Sequence, residues 1–306
     1  MISVGLTALI VWKANPALVA RIVAGADWTW IAGAVLLVLV DRSLMAWRWI
    51  DLLCALTPGS HPPFSIVLRI FFVSTFVGSF LPSIGGDAYR AYGLSRYDVR
   101  LSESAASVLM DRVLGVLAIT IVGGAALAAG GSMGIGAPIL VPLLAAIGAC
   151  AVVAAAVFSD DAAALAQRTA ARIPGTGIRR AALSLSDAMR RYARHHRELI
   201  RVLAASVGVQ IIRVVQAYCL GRALGIELPL ASYFLLIPIV LLVMLLPITV
   251  SGLGTSQWAF DYLFGHAGVA SAHAVALSVL FVALNIVGNL PGSILYALGG
   301  GRGVRA

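Results

Sequence analysis

Long apolar runs separated by short polar connections dominate the chain, at residues 28–50, 64–81, 103–129, 138–158, 199–221, 231–247 and 272–298. Each is near the roughly 20 residues that a helix needs to cross a hydrocarbon core about 30 Å thick. The pattern predicts an all-α fold, a polytopic helical membrane protein forming one membrane domain over residues 1–306. Met1 to Trp12 is apolar but reaches only about 18 Å at about 1.5 Å per residue. It has neither a basic leader nor a small-x-small cleavage site, so it reads as a short or truncated first helix and not a signal peptide.

Two of the runs are interrupted in the same way. The first ends in Leu81-Pro82-Ser83-Ile84-Gly85-Gly86-Asp87 before a short piece, Ala88 to Leu94. The second ends in Leu246-Pro247, passes through Ser251-Gly252-Leu253-Gly254, and resumes at Trp258 to Phe264. Each predicts a re-entrant pair of half-helices, with Pro82 and Pro247 setting the breaks. Broken helices are tolerated at membrane depth where the freed backbone groups are buried in protein or line a wet cavity, and paired breaks point to a transport site. Shifting the sequence by 165 residues superimposes Arg48 on Arg213, Cys54 on Cys219, Leu81-Pro82 on Leu246-Pro247 and Ile121-Val122-Gly123 on Ile286-Val287-Gly288. These matches predict an inverted repeat, units about 28–129 and 199–298, with about six full spans and two re-entrant helices.

Composition agrees: 60% of residues are hydrophobic and 11% charged, far more apolar surface than one soluble core can hide. The net charge of +9 does not point to nucleic acid, because the excess is arginine gathered in the connection 159–198, including Arg168, Arg172, Arg179, Arg180, Arg190, Arg191, Arg194 and Arg197. The positive-inside rule places this loop in the cytoplasm of a cell-membrane protein. Its part from 181 to 199 reads either as an amphipathic surface helix meeting anionic lipid or as a solvated connector. Arg90, Arg96 and Arg100 fall on the same side, and Arg302 and Arg305 should too, which requires the second broken segment to turn back.

Cys54, Cys150 and Cys219 lie in or beside apolar runs with no paired spacing, and the five histidines have no metal-ligand spacing, so no disulfide, metal or other cofactor is expected. The glycine turns are neither a P-loop nor a nucleophile elbow.

Charge inside a span is costly and normally faces a bundle interior or wet cavity. Arg213 sits mid-span between Gln210 and Gln216 and cannot easily reach an interface, so a cavity-facing role is expected. Arg48, in Met45-Ala46-Trp47-Arg48-Trp49, reads equally as a functional group or as a side chain snorkelling to an aromatic belt. Asp87, Arg90, Asp111 and Arg112 form either a buried ion-pair network or part of a binding site. In the binding reading, Gly85, Gly86, Gly252 and Gly254 let backbone approach a head group, half-helix N-termini offer N–H groups to an anion, and arginine grips phosphate.

Arg48-Trp49 with Leu52-Leu53, Leu81-Pro82-Ser83-Ile84-Gly85-Gly86-Asp87-Ala88-Tyr89-Arg90, Asp111-Arg112-Val113-Leu114-Gly115, and Leu246-Pro247-Ile248 with Gly252-Leu253-Gly254 together resemble the transmembrane region of lysylphosphatidylglycerol synthase, the flippase-like domain family. The resemblance covers nearly the whole chain. Where that family usually carries an acidic residue after the second glycine motif, this chain has Gln257. The resemblance implies the standalone type, associated with polyprenyl-linked glycans and hopanoids, without an aminoacyl-transferase domain.

The leading expectation is a flippase-like transporter of an anionic, phosphate-bearing lipid or polyprenyl-phosphate-linked head group. Arg48, Arg90 and Arg213 would bind phosphate, and Asp87 and Asp111 would hold those arginines when the site is empty. One rival is a polytopic transferase or hydrolase using Asp87 and Asp111. Another is a non-transporting scaffold that docks an envelope-biosynthesis enzyme through its arginine-rich loop.

Overall fold

The structure, a computed structural model, describes residues 14–57, 62–79, 83–97, 99–129, 176–245 and 254–299, together with Ile10 and separate positions between 145 and 169. Among these residues every regular element is helical. They are α1 (Pro16–Ala24), α2 (Trp28–Leu56), α3 (Phe64–Gly78), α4 (Ser83–Leu94), α5 (Leu101–Ala128), α6 (Thr176–Arg191), α7 (His196–Ala223), α8 (Leu230–Leu245), α9 (Thr255–His266) and α10 (Ser271–Gly299), with a 3-10 turn at Tyr192–Arg194. All but a few separate positions of the expected span 138–158, the breaks Pro82 and Pro247, and Gly252 lie outside the described residues.

Three helices, Trp28–Leu56, Leu101–Ala128 and Ser271–Leu298, are long and apolar enough to cross a membrane. Their outer faces carry large apolar side chains such as Leu36, Leu39, Val40, Ile286, Leu290 and Ile294, all exposed. Such surface has no partner in water and fits lipid. The chain is a helical membrane protein. The run expected at 199–221 is also one continuous helix, α7, but it is too polar to stand with those three. The reason is its position: it packs along α2 and against α5, α8 and α10, so Ser206, Gln210 and Gln216 are buried inside protein. The two interrupted runs give short apolar helices, α3 of 15 residues and α8 of 16, each followed by a 12-residue helix, α4 or α9. Helix α1 was not expected; Asn15 caps it, its side chain accepting from Leu18 N–H, and Pro16 stands in its first turn, where a missing N–H costs nothing.

Lengths and partners recur along the chain. Helices α2 to α5 have 29, 15, 12 and 28 residues; α7 to α10 have 28, 16, 12 and 29. In both sets the second helix packs on the third and the third on the fourth. Across the sets, α2 packs on α7, α3 on α10, and α8 on α5.

The α3–α10 contact is tight because Gly292 has no side chain: a Cβ there would collide with the Phe72 carbonyl and lie 2.8 Å from Phe76 Cβ. Backbone cannot step aside as a rotamer can. Gly292→Val is therefore expected to lower stability by at least the ~1–3 kcal/mol of ordinary overpacking, read as an earlier thermal melt in detergent.

The arginine-rich connection forms α6, which ends at Arg191 rather than running on to 199, because the chain turns through the 3-10 segment and His195 (φ −113°, ψ 49°) before α7. Its apolar side, Ala188 and Met189 with Tyr192 beyond, is buried against Leu52, Ala106, Met110 and Val202. The Tyr192 hydroxyl donates to the Leu52 carbonyl at 2.9 Å, and two Arg191 N–H groups reach Glu103 Oε1 at 3.0 Å. The segment is thus an amphipathic helix whose apolar face is covered by the bundle, with Arg179 and Arg180 exposed.

Candidate functional site

Helix α2 carries three charged residues inside its apolar run, Asp41, Arg42 and Arg48, and all three are buried. Arg48 does not snorkel. Its Nε donates to Asp111 Oδ1 on α5 at 2.7 Å, and its side chain is 4% exposed. Asp111 also faces Arg90 of α4, with Nη1 3.7 Å from Oδ2. The Arg90 guanidinium lies between two rings, 4.9 Å from the Trp49 centroid and 4.7 Å from that of Phe71, and its Nε donates to Ser74 Oγ at 3.2 Å. A cation held between aromatic faces is stabilised by their quadrupoles. The Trp49 indole is anchored in turn by Nε1 donating to Ser107 Oγ at 3.2 Å.

A second carboxylate shared by two arginines, Asp41, lies on α2 itself, nearer its N-terminus than Arg48. Arg213 of α7 donates from Nε to Asp41 Oδ1 at 3.1 Å, and Arg42 Nη1 lies 3.1 Å from Asp41 Oδ2. Arg42 also donates from Nη2 to Asn285 Oδ1 of α10 at 2.9 Å, and Met45 Sδ accepts from Arg213 Nη2 at 3.0 Å. A third pair, Arg112 Nε to Asp87 Oδ2 at 2.7 Å, is more open, with side chains 36% and 26% exposed.

All five arginines line one cavity of about 340 Å³, to which α2, α3, α4, α5, α7, α8 and α10 contribute. That volume lies within the range of small-ligand sites. Burying a charge without a partner costs several kcal/mol, and each arginine here has a carboxylate. Yet among the described residues five guanidiniums face three carboxylates, so these walls carry an excess of positive charge. An anion that displaces a carboxylate from an arginine finds a site already arranged for it.

Of the residues singled out from the sequence, Arg48, Gly86, Asp87, Arg90, Asp111, Arg112 and Arg213 meet in this cavity. Gly85, Gly254 and Gln257 do not line it. Gly86 is required by packing: a Cβ there would lie 2.8 Å from the Ser74 carbonyl and 3.0 Å from Gly78 Cα, so its absence lets α4 fold back on α3. Gln216 is buried outside the cavity, whereas Gln210 lines it beside Arg213. The predicted partner of Arg213 was Asp87 or Asp111; its carboxylate is Asp41.

Gln257 caps α9. Its Oε1 accepts from Gly254 N–H at 2.6 Å and from the Ser256 hydroxyl at 3.1 Å, and Gly254 has φ 91°, which a side chain would strain. Gln257→Ala is expected to lower stability by about 1 kcal/mol through the lost cap. Thermal melts would register this, while head-group binding should be unchanged.

Asp41, Arg42, Asn285 and Asn289 were not singled out. Asp41-Arg42 had a signal, two adjacent charges inside the run 28–50; the asparagines had none. Among the described residues no group of three His, Cys, Asp or Glu is placed to hold a metal ion.

The family model for the lysylphosphatidylglycerol synthase TM region matches residues 1–292. The chain belongs to this family. The match takes in every cavity residue. No curated protein matches the chain. Membership in the lysylphosphatidylglycerol synthase TM-region family makes this a membrane domain of the kind that serves lipid biosynthesis or flipping.

Proposed function

We propose that the chain is a flippase-like transporter that moves an anionic, phosphate-bearing lipid or lipid-linked head group, polyprenyl phosphates included, across the cell membrane. The observation that carries this reading is the cavity: five arginines from four helices converge on one space inside an apolar bundle. The head group sits there while its tail stays in the bilayer.

Two arginine pairs, each sharing one carboxylate, give the head group two stations. Arg48 and Arg90 form one around Asp111; Arg42 and Arg213 form the other around Asp41. Arg42 and Arg48 are six positions apart on α2, roughly 9 Å along the helix. A phosphate passing from one station to the other releases the first carboxylate to recapture its arginines, so no guanidinium is left alone in transit.

The recurring helix lengths and partners support an inverted repeat over residues 28–129 and 199–298, with α3–α4 and α8–α9 as re-entrant pairs. In this arrangement the connection 159–198 is cytoplasmic, and an envelope-biosynthesis enzyme is a natural supplier or consumer of the lipid. The transferase reading has less support, because both of its candidate acid–base groups, Asp87 and Asp111, are engaged by arginine.

The test is reconstitution in liposomes with a panel of head-group-labelled lipids. Anionic phospholipids or polyprenyl phosphates should cross faster than in protein-free vesicles, and zwitterionic ones should not. Equal movement of both classes, or of neither, would rule the proposal out.

A further inference from the structure

Arg90 differs from the other cavity arginines in how its charge is held. Arg42, Arg48, Arg112 and Arg213 each bring a guanidinium nitrogen to 3.1 Å or less from a carboxylate oxygen. Arg90 Nη1 stands 3.7 Å from Asp111 Oδ2, beyond hydrogen-bond reach, and Asp111 is already committed to Arg48 through Oδ1 at 2.7 Å. In place of a close carboxylate, Arg90 has two ring faces, those of Trp49 and Phe71, with centroids 4.9 and 4.7 Å from its Cζ. A ring face stabilises a cation without consuming an N–H group. Among the described residues Arg90 makes a single hydrogen bond, from Nε to Ser74 Oγ at 3.2 Å, so both Nη groups remain open on a side chain that lines the cavity.

The groups behind this guanidinium are fixed in turn. Ser107 Oγ gives its proton to the Ser104 carbonyl at 2.8 Å and therefore accepts the Trp49 indole N–H at 3.2 Å. Ser74 Oγ gives its proton to the Phe71 carbonyl at 2.7 Å and therefore accepts from Arg90 Nε. Trp49 and Phe71 are fully buried, their ring centroids 6.3 Å apart, so neither ring can swing away. The Nε edge of Arg90 is thus spent on α3, and the Nη edge is left for a ligand.

We propose that Trp49 is a positioning residue for anion capture: its ring holds Arg90 in place with the Nη edge free, so that Arg90 is the first arginine an anionic head group grips. This rests on the head-group reading of the cavity given above. The other four arginines must each loosen a short ion pair to turn fully to an anion, whereas Arg90 has none at hydrogen-bond distance to break. Its two Nη groups offer parallel donors that match two phosphate oxygens. Trp49 itself touches no ligand in this scheme and acts only through Arg90.

The test is a double-mutant cycle on the binding of dihexanoyl phosphatidylglycerol to the purified protein in detergent, measured by calorimetry. Arg90→Gln serves as the second background, because it leaves Asp111 paired with Arg48 and orphans no carboxylate. Trp49→Leu should weaken binding about tenfold in the otherwise wild-type protein, and by less than about twofold where Arg90 is already glutamine. Trp49→Phe keeps a ring of weaker quadrupole and should lose only about threefold, again only where Arg90 is present. That variant carries the cycle if thermal melts show Trp49→Leu to be unfolded. Equal losses in both backgrounds would overturn the positioning role, since a packing defect does not depend on Arg90. An Arg90→Gln protein that binds as tightly as wild type would overturn Arg90 as the first grip and leave the cavity reading standing. Absence of binding to the wild-type protein would overturn the head-group reading itself.

Discussion

Replacing Asp111 with alanine is expected to destabilise the protein by about 3–5 kcal/mol, the usual cost of breaking a buried ion pair by removing one partner. The size follows from what remains. Asp111 is the carboxylate for both Arg48 and Arg90, whose side chains are 4% and 7% exposed, so one substitution leaves two buried guanidiniums facing each other. Neither can escape: Arg90 is held between Trp49 and Phe71, and Arg48 lies one helix turn from the fully buried Leu52. Asp87→Ala is the control. Its partner Arg112 is 36% exposed and can turn to water, so this loss should fall within the ~0–1 kcal/mol of an open pair. Thermal unfolding in one detergent checks both variants. Equal effects would mean that burial does not set the energetics of this network.

The largest functional effect is expected at Arg213, with little effect on folding. Arg213→Ala leaves Asp41 paired with Arg42 at 3.1 Å, so no carboxylate is orphaned, and the side chain removed is 20% exposed and borders the cavity. Transport should fall by tenfold or more, the factor that corresponds to about 1.4 kcal/mol of lost phosphate interaction. Arg213→Lys should recover part of the rate, because a lysine keeps the charge but offers a point donor in place of a planar fork. A well-folded Arg213→Ala that transports normally would remove Arg213 from the mechanism.

Apolar periodicity and rare polar residues made most of the bundle legible in the sequence. Residues 28–50, 103–128 and 272–298 lie within helices that are long and apolar enough to cross a membrane, because nothing interrupts their pattern. The two Leu-Pro interruptions marked where α3 and α8 end short, although the prolines themselves lie outside the described residues. Charge was legible by cost: an arginine within or beside an apolar run is unfavourable enough that Arg48, Arg90, Arg112 and Arg213 stood out, and all four reach one cavity.

What escaped the sequence depended on which face of a helix meets which neighbour. Arg48 beside Trp47 and Trp49 had a snorkelling alternative that only its distance to Asp111 removes. Asp41 became the partner of Arg213 through the packing of α2 along α7, a contact between residues 172 positions apart. Asn285 and Asn289 are ordinary polar residues on an apolar helix until α10 turns them toward Arg42 and Ser79. The glycine motifs also serve packing that the sequence does not show: Gly86, which lines the cavity, permits the close approach of α4 to α3, and Gly254 takes part in the cap of α9, needs that arise only when the helices are packed.

The most direct test of the central claim is transbilayer movement of head-group-labelled anionic lipid in liposomes holding either wild-type protein or Arg213→Ala. Rapid movement is expected with the wild-type protein and a rate near that of protein-free vesicles with the variant, both being equally folded. Equal rates in the two preparations, or no movement in either, would contradict it.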